Sequence, residues 1–352
     1  MARIPEIKEE ERYRILRETA RDYAARELAP GAEQFDLDPA SPQLKEAITK
    51  AESLGMLSAL VPEELGGGDL DAYAFCVALE EMGAESAGVA AALLVHNAAQ
   101  LPLALSEHRE GISKIASAST LACLAHPGEL AVSGGEVNGR APFAFNAAES
   151  SFVILFSSGG VPVTVVMVSG ETDGLEVSTD LHQMGLRPAR AGSLQFNGVE
   201  PMATIPQGDR LQRASERILH LGLAAIATGI AKKAFSKAYD YACDRYQAGS
   251  KIIKHQQMRV MLGEMLAGIE ENRAMIARAC ASEDTAPAMV TWMKATRNGC
   301  KAAIDGVQIH GGYGYMRDYG MERLMRDAKY CQMYPTTDQE ALLKLLELSE
   351  SD

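Results

Sequence analysis

The sequence predicts an α+β protein in three successive segments: an N-terminal helical domain over 1–118, a small middle β domain over 119–207 and a C-terminal helical bundle over 208–352. Three observations predict it. Apolar residues recur at three and four through the first third; short runs rich in Val, Phe and Ile fill the middle; and the helical period returns near Asp209 and persists. Helices, then strands, then helices is the order of an α+β chain rather than of a wound α/β sheet.

The first helical run extends from Glu6 to Ala29, and a second from Ser41 to Leu54 opens with Ser41 and Pro42 and closes at Gly55. Those are helix start and stop signals. Gly66, Gly67 and Gly68 then break the chain before a run from Asp69 to about Ser86 and an alanine-rich run to Leu105. Between about Thr120 and Pro206 the runs SFVILFSS, VPVTVVMV and GSLQFNGV read as strands separated by turn residues. In the last segment, Leu219, Leu223, Ile226 and Ile230 form one apolar stripe, and Met258, Met261, Leu262, Met265, Leu266 and Ile269 another. Two further helices are expected at about Ala286–His310 and Gly320–Met333, with a short one from Asp338, giving a bundle of four or five.

Composition narrows the function classes. At about 150 residues per domain, 352 residues make two or three domains with ample core. A net charge of -13 disfavours nucleic acid and anionic membrane as partners. No stretch of roughly 18 uncharged apolar residues is expected to span a bilayer. The opening MARIPEIKEEERYR lacks the apolar core of a signal peptide, and Cys76, Cys123, Cys243, Cys280, Cys300 and Cys331 form no CxxC pair. A cytoplasmic protein with free, mostly buried thiols is the expectation, with no metal site.

Two segments carry chemistry. Arg245, four residues before Gly249, lies where the first long C-terminal helix ends; a guanidinium there can grip a phosphate by two parallel hydrogen bonds, or cap the helix dipole. The run from Gln308 to Tyr315 places Gly311, Gly312 and Gly314 at a helix end, where glycines admit a ligand close to the backbone or act as C-caps.

Together and in this order these segments resemble the acyl-CoA dehydrogenase family of flavoproteins. The family's RxxFG corresponds to Arg245 through Gly249 with the phenylalanine lost, its HQ pair to His255 and Gln256, its QxxGGxG to Gln308 through Gly314, and the segment RDYGMERLMRDAKYCQMYPTTDQE to its C-terminal signature. The resemblance implies an acyl-CoA thioester substrate, FAD, and electron-transfer flavoprotein as electron acceptor. It also implies that Arg245, Gln308, Gly311 and Gly312 contact the ADP moiety of a neighbouring subunit's FAD, and that Gln256, Thr337 and Gln339 belong to the cofactor site.

The same resemblance shows departures. The family's catalytic glutamate corresponds to Pro335, which has neither a carboxylate to take the α-proton nor an N–H to hold the thioester carbonyl. An alternative family base position falls on Leu219, beside His220. Glu216 stands one turn away, displaced by roughly 5 Å; it is the remaining candidate base, or else a solvated or capping carboxylate. In the β domain, the family's flavin-packing tryptophan and threonine correspond to Phe143 and Phe145, and its Thr-Glu-Pro to Ala125, His126 and Pro127. His126 is a lone functional group or a satisfied histidine. Ala90, Ala91 and Ala92 leave room for a bulky substrate or reflect close helix packing.

Three readings follow. The leading one is a subunit of a heteromeric acyl-CoA dehydrogenase with a degenerate site of its own, completing the FAD site of a related catalytic subunit. The others are a self-sufficient flavoenzyme using Glu216 or altered chemistry, and a scaffold or CoA-thioester binding protein without flavin.

Overall fold

The computed structural model describes residues 10–350 apart from 117–119, 126–128, 158–163, 180 and 207. The expected boundaries at 118/119 and 207/208 and the candidate His126 therefore fall on or beside residues outside the described ones.

Helix α1 (Glu11–Tyr23) continues through a five-residue π turn, Ala24–Leu28, because Pro30 lacks the N–H that would extend regular α-helical bonding. After α2 (Ala32–Leu37), α3 (Pro42–Lys50) starts where expected, the Ser41 hydroxyl accepting the Leu44 N–H. It tightens to a 3₁₀ turn and stops at Gly55, whose φ is 69°. The next helix, α4 (Ala72–Glu85), begins three residues later than Asp69, which is itself left-handed, and is capped by the Asp71 carboxylate accepting the Ala74 N–H at 2.8 Å. Helices α5 (Ala87–Leu105) and α6 (Arg109–Ala116) complete this segment.

Helix α5 corrects one expectation. Its 19 residues include no Asp, Glu, Lys or Arg, and by length and composition it is able to cross a membrane, as is a window of the 37-residue α7 (Gly208–Asp244). In both the apolar window is 89% buried against protein, as core helices require. These helices pack closely enough that a Cβ on Gly229 of α7 would lie 2.2 Å from the Glu80 carbonyl of α4, and one on Gly222 would meet Leu94 of α5 at 2.3 Å. Ala90, Ala91 and Ala92 are fully buried in this packing, which accounts for their small size.

The middle segment contains two four-stranded sheets. Strands β1 (Cys123–Ala125), β4 (Phe152–Phe156), β5 (Val165–Ser169) and β8 (Ala203–Ile205) form one in that order, with β1 and β4 parallel. Strands β2 (Glu129–Ser133), β3 (Glu136–Ala144), β7 (Gly192–Val199) and β6 (Leu175–Ser178) form the other, antiparallel throughout. The central strands β4 and β5 of the first sheet are buried on both faces. Val153, Leu155, Val166 and Val168 share a core with the second sheet, while Ile154, Phe156, Val165 and Met167 join the helical core. Two-sided burial explains the continuous apolar runs, where a half-exposed strand would alternate.

The bundle comprises α7, α8 (Gln256–Cys280), α9 (Thr285–His310), α10 (Met321–Met333) and α11 (Asp338–Glu350). Both sequence-derived stripes face inward to differing extent: Leu219, Leu223, Ile226 and Ile230 are buried, while in α8 Met258, Met261 and Leu266 pack at the core's edge. Buried ions tie α4 to this bundle. Arg273 of α8 donates to Glu80, and Lys232 of α7 donates to both oxygens of Glu81.

A polar clamp joins all three segments. Arg326 of α10 donates from Nη1 to Asp36 Oδ1 at 3.1 Å and from Nη2 to Asp36 Oδ2 at 2.8 Å, reaching the end of α2; its Nη1 also donates to the Met184 carbonyl at 2.6 Å. Beside it, buried Asp327 accepts the Leu186 N–H at 2.7 Å.

Burial pushes the Asp327 carboxyl up to about 6, while Arg323 and the Leu186 N–H pull the other way. The native state therefore holds this proton more tightly than an unfolded carboxylate at 3.8, so the group's support for folding is present at low pH and lost as pH rises through about 6. Glu81 has the opposite sign: desolvation would raise it, but Lys232 and Arg21 bring it down to about 2, and its contribution is lost as pH falls from about 4.5 toward 2. Asp327→Asn keeps an acceptor for Leu186 and removes the titration. Thermal melts should show its midpoint about 2 °C or more above wild type at about pH 7.5 and little changed near pH 4.5. A lower midpoint at the higher pH would show that the ionised carboxylate stabilises the clamp.

Candidate functional site: an exposed clamp and a closed ring site

The residues assigned to cofactor binding separate into two places. Arg245, Gln256, Gln308, Gly311 and Gly312 gather at one end of the bundle, where α7 and α9 end and α8 begins. Tyr241 near the end of α7 stacks on His310 at the end of α9, with centroids 4.4 Å apart, and this fixes the two helix ends together. Beyond α7, β9 (Tyr246–Gln247) pairs with β10 (Ser250–Lys251) across a turn at Ala248 and Gly249, both with positive φ. Glycine suits that turn because the left-handed region costs it nothing. His255 Nε2 lies 3.1 Å from the Gln247 carbonyl, tying the hairpin to the start of α8.

Arg245 is exposed, with its guanidinium 5.9 Å from the Tyr313 ring centroid. Gln256, Gln308, Gly311 and Gly312 are exposed too. Within residues 245–259 the charged side chains are Arg245, Lys251, Lys254 and Arg259, all exposed and none acidic, on a chain of net charge -13. The clamp is thus a local cationic ledge. Around it Tyr246, Val260, Ile304, Tyr313, Tyr315 and Met316 are 46–79% exposed. Sequence reasoning found the clamp through its motifs and missed this apolar rim, because its members come from four separate elements.

Thr337 and Gln339 lie instead at the α10–α11 junction. The Thr337 hydroxyl donates to Glu340 Oε2 at 2.9 Å, the Thr337 N–H donates to the same oxygen at 3.0 Å, and the Glu340 N–H reaches back to the Thr337 hydroxyl at 3.3 Å. That is a reciprocal capping box opening α11. Gln339 is exposed on the first turn.

Glu216 is neither solvated nor a cap. It is 6% exposed, accepts from Lys344 of α11 at 2.9 Å and from Gln212 at 2.9 Å, and so lies in a partly buried ion pair. One turn further on, His220 packs on Trp292 with centroids 5.2 Å apart, and Leu219 is fully buried.

The positions corresponding to the family's flavin ring site do come together, and they close on each other. Phe143 on β3 and Phe145 just after it meet edge to face at 5.0 Å; Phe145 meets Tyr334 at 4.7 Å; Phe143 lies 5.8 Å from Tyr334 and 6.0 Å from Tyr330. These are direct aromatic contacts. An intervening ring would need faces about 7 Å apart, two van der Waals separations. Phe145 is fully buried and Tyr334 is 3% exposed. These ring-to-ring contacts leave no such gap, so the site does not fit a flavin as the described residues stand; the Tyr334 hydroxyl is buried with no hydrogen-bond partner among the described residues. Pro335, at the base position, is buried behind it.

The order of helices, two packed sheets and a helical bundle is that of a flavin-dependent oxidoreductase. Residues 10–107 match the acyl-CoA dehydrogenase N-terminal domain and residues 214–343 the C-terminal domain. An acyl-CoA dehydrogenase of Bacillus subtilis is 31% identical over 363 residues, covering 92% of this chain and 94% of that protein. The chain belongs to the acyl-CoA dehydrogenase family. Among solved structures, butyryl-CoA dehydrogenase from Megasphaera elsdenii superposes with a TM-score of 0.83 at 23% identity, covering 96% of this chain and 98% of that one. PigA with FAD and proline superposes with a TM-score of 0.88 at 18% identity, covering 98% and 99%. These two establish the fold.

Thr337→Ala should remove the α11 cap and lower stability by about 1 kcal/mol in denaturant melts, whereas Thr337→Ser should retain most of it. Equal losses from both variants would show that the capping box does not hold α11.

Proposed function

We propose that this chain is the cofactor-completing subunit of a heteromeric acyl-CoA dehydrogenase that α,β-dehydrogenates an acyl-CoA thioester. In this reading Arg245, Gln256, Gln308, Gly311 and Gly312 hold the ADP moiety of an FAD whose ring is bound by a related catalytic subunit, and the electrons leave to electron-transfer flavoprotein. The observation that carries it is one contrast: the outward clamp is exposed and cationic, while the chain's own ring site is packed shut.

Three further features support the reading. Arginine with planar, bidentate donors suits a pyrophosphate better than lysine does. Tyr, Met and Arg around the clamp are the residue types enriched in protein interfaces, and six large apolar side chains around one charged site are covered when a second chain docks. The Lys344–Glu216 ion pair weighs against the self-sufficient reading, because both carboxylate oxygens are engaged, Oε2 by Lys344 and Oε1 by Gln212, each at 2.9 Å.

Co-expression with a flavin-bearing relative is expected to give a mixed oligomer on native mass spectrometry. Arg245→Ala should weaken FAD retention in that oligomer by about 10- to 100-fold, the effect of losing a charged hydrogen-bonding pair, and Gln308→Ala by less. If FAD content is indifferent to Arg245→Ala, the clamp is not a cofactor site.

A further inference from the structure

We infer that Phe143, Phe145, Tyr330 and Tyr334 form an aromatic wedge that takes the place of a flavin ring in this chain, so that the chain folds complete without an FAD of its own. Its consequence for stoichiometry rests on the reading above: each pair of this chain with a catalytic subunit holds one FAD, not two.

The wedge is built from two segments of the chain. Phe143 and Phe145 come from the end of β3, and Tyr330 and Tyr334 from α10 and the residue after it. Along α10, Arg323, Asp327 and Tyr330 succeed one another at spacings of four and three, which places them on one helical face, and Tyr334 follows the helix end in extended conformation. The Asp327–Leu186 hydrogen bond therefore sets how closely the two tyrosines approach the sheets. On the opposite side Asn146, next to Phe145, donates to the Ala92 carbonyl of α5 at 2.9 Å and to the Ala122 carbonyl at 3.1 Å, while its own N–H donates to the Ala189 carbonyl. His96 of α5 accepts the Ala122 N–H at 2.8 Å through Nδ1. Polar anchors thus hold the wedge from both sides at contact distance.

The Tyr334 ring meets Phe145 with centroids 4.7 Å apart, and its hydroxyl has no hydrogen-bond partner among the described residues, so the contact is held by the rings and not by the hydroxyl.

The test uses the full chain alone and in the mixed oligomer. Alone, titration with FAD followed by flavin fluorescence should show no saturable binding, and excess FAD should leave the thermal midpoint unmoved, since a ligand shifts stability only by binding the native state. In the mixed oligomer, absorbance against protein mass should give one FAD per pair. Phe145→Leu and Tyr334→Phe should leave that FAD content unchanged, and Tyr334→Phe should not lower the midpoint, because it deletes a hydroxyl without a partner. A flavin in the isolated chain, two FAD per pair, or FAD loss on either substitution would overturn the wedge. If no mixed oligomer forms while the isolated chain stays colourless and indifferent to FAD, the wedge stands and the cofactor-completing role falls.

Discussion

The structure depends on one buried ion pair, Arg326 to Asp36. The guanidinium meets the carboxylate through two bonds, 290 residues apart in sequence, and the adjoining Asp327 grips the backbone at Leu186. Removing one partner leaves the other only its remaining pairing, Asp36 with Arg187 at 3.6 Å or Arg326 with Glu322 at 2.6 Å. Apolar packing alone would hold the sheets against α10 with latitude in their separation. Directional bonds at Asp36, Met184 and Leu186 remove that latitude, and through the helical face of α10 they set the distances among four aromatic rings.

Much of the fold was legible because its signals are local. Ser41 and Pro42, Gly55, Asp71 and the turn glycines act within a few residues of themselves, so start and stop signals placed most elements to within a few residues. The exceptions also have local causes: Pro30 converts the end of α1 into a wider turn, and the left-handed Asp69 delays α4. The charge-free α5 was misjudged because an alanine-rich helix has modest apolarity per residue yet no ion to interrupt it.

The site was legible only in part. The motifs around Arg245 and Gln308 are contiguous in sequence, so both segments could be singled out as patterns, and the structure brings them to one end of the bundle. What Thr337 and Glu216 do could not be read in this way, because function at those positions is decided by partners: Glu340 lies three residues from Thr337, and Lys344 is 128 residues from Glu216. The approach of Phe145 to Tyr334 likewise depends on a domain interface that no window of sequence contains. Pro335 announced the loss of a base; it could not announce that the space beside it had filled.

Helix α7 joins these two regions mechanically. At 37 residues it is a rod of about 55 Å, entering beside the sheets at Gly208 and ending at the Arg245 hairpin. On such a lever a tilt of about 5° sweeps the far tip through roughly 5 Å, more than a hydrogen bond tolerates. The near-total burial of its middle third, with glycines seating it directly on α4 and α5, therefore serves aim as much as stability: a grip offered to another molecule is only as accurate as the axle that carries it.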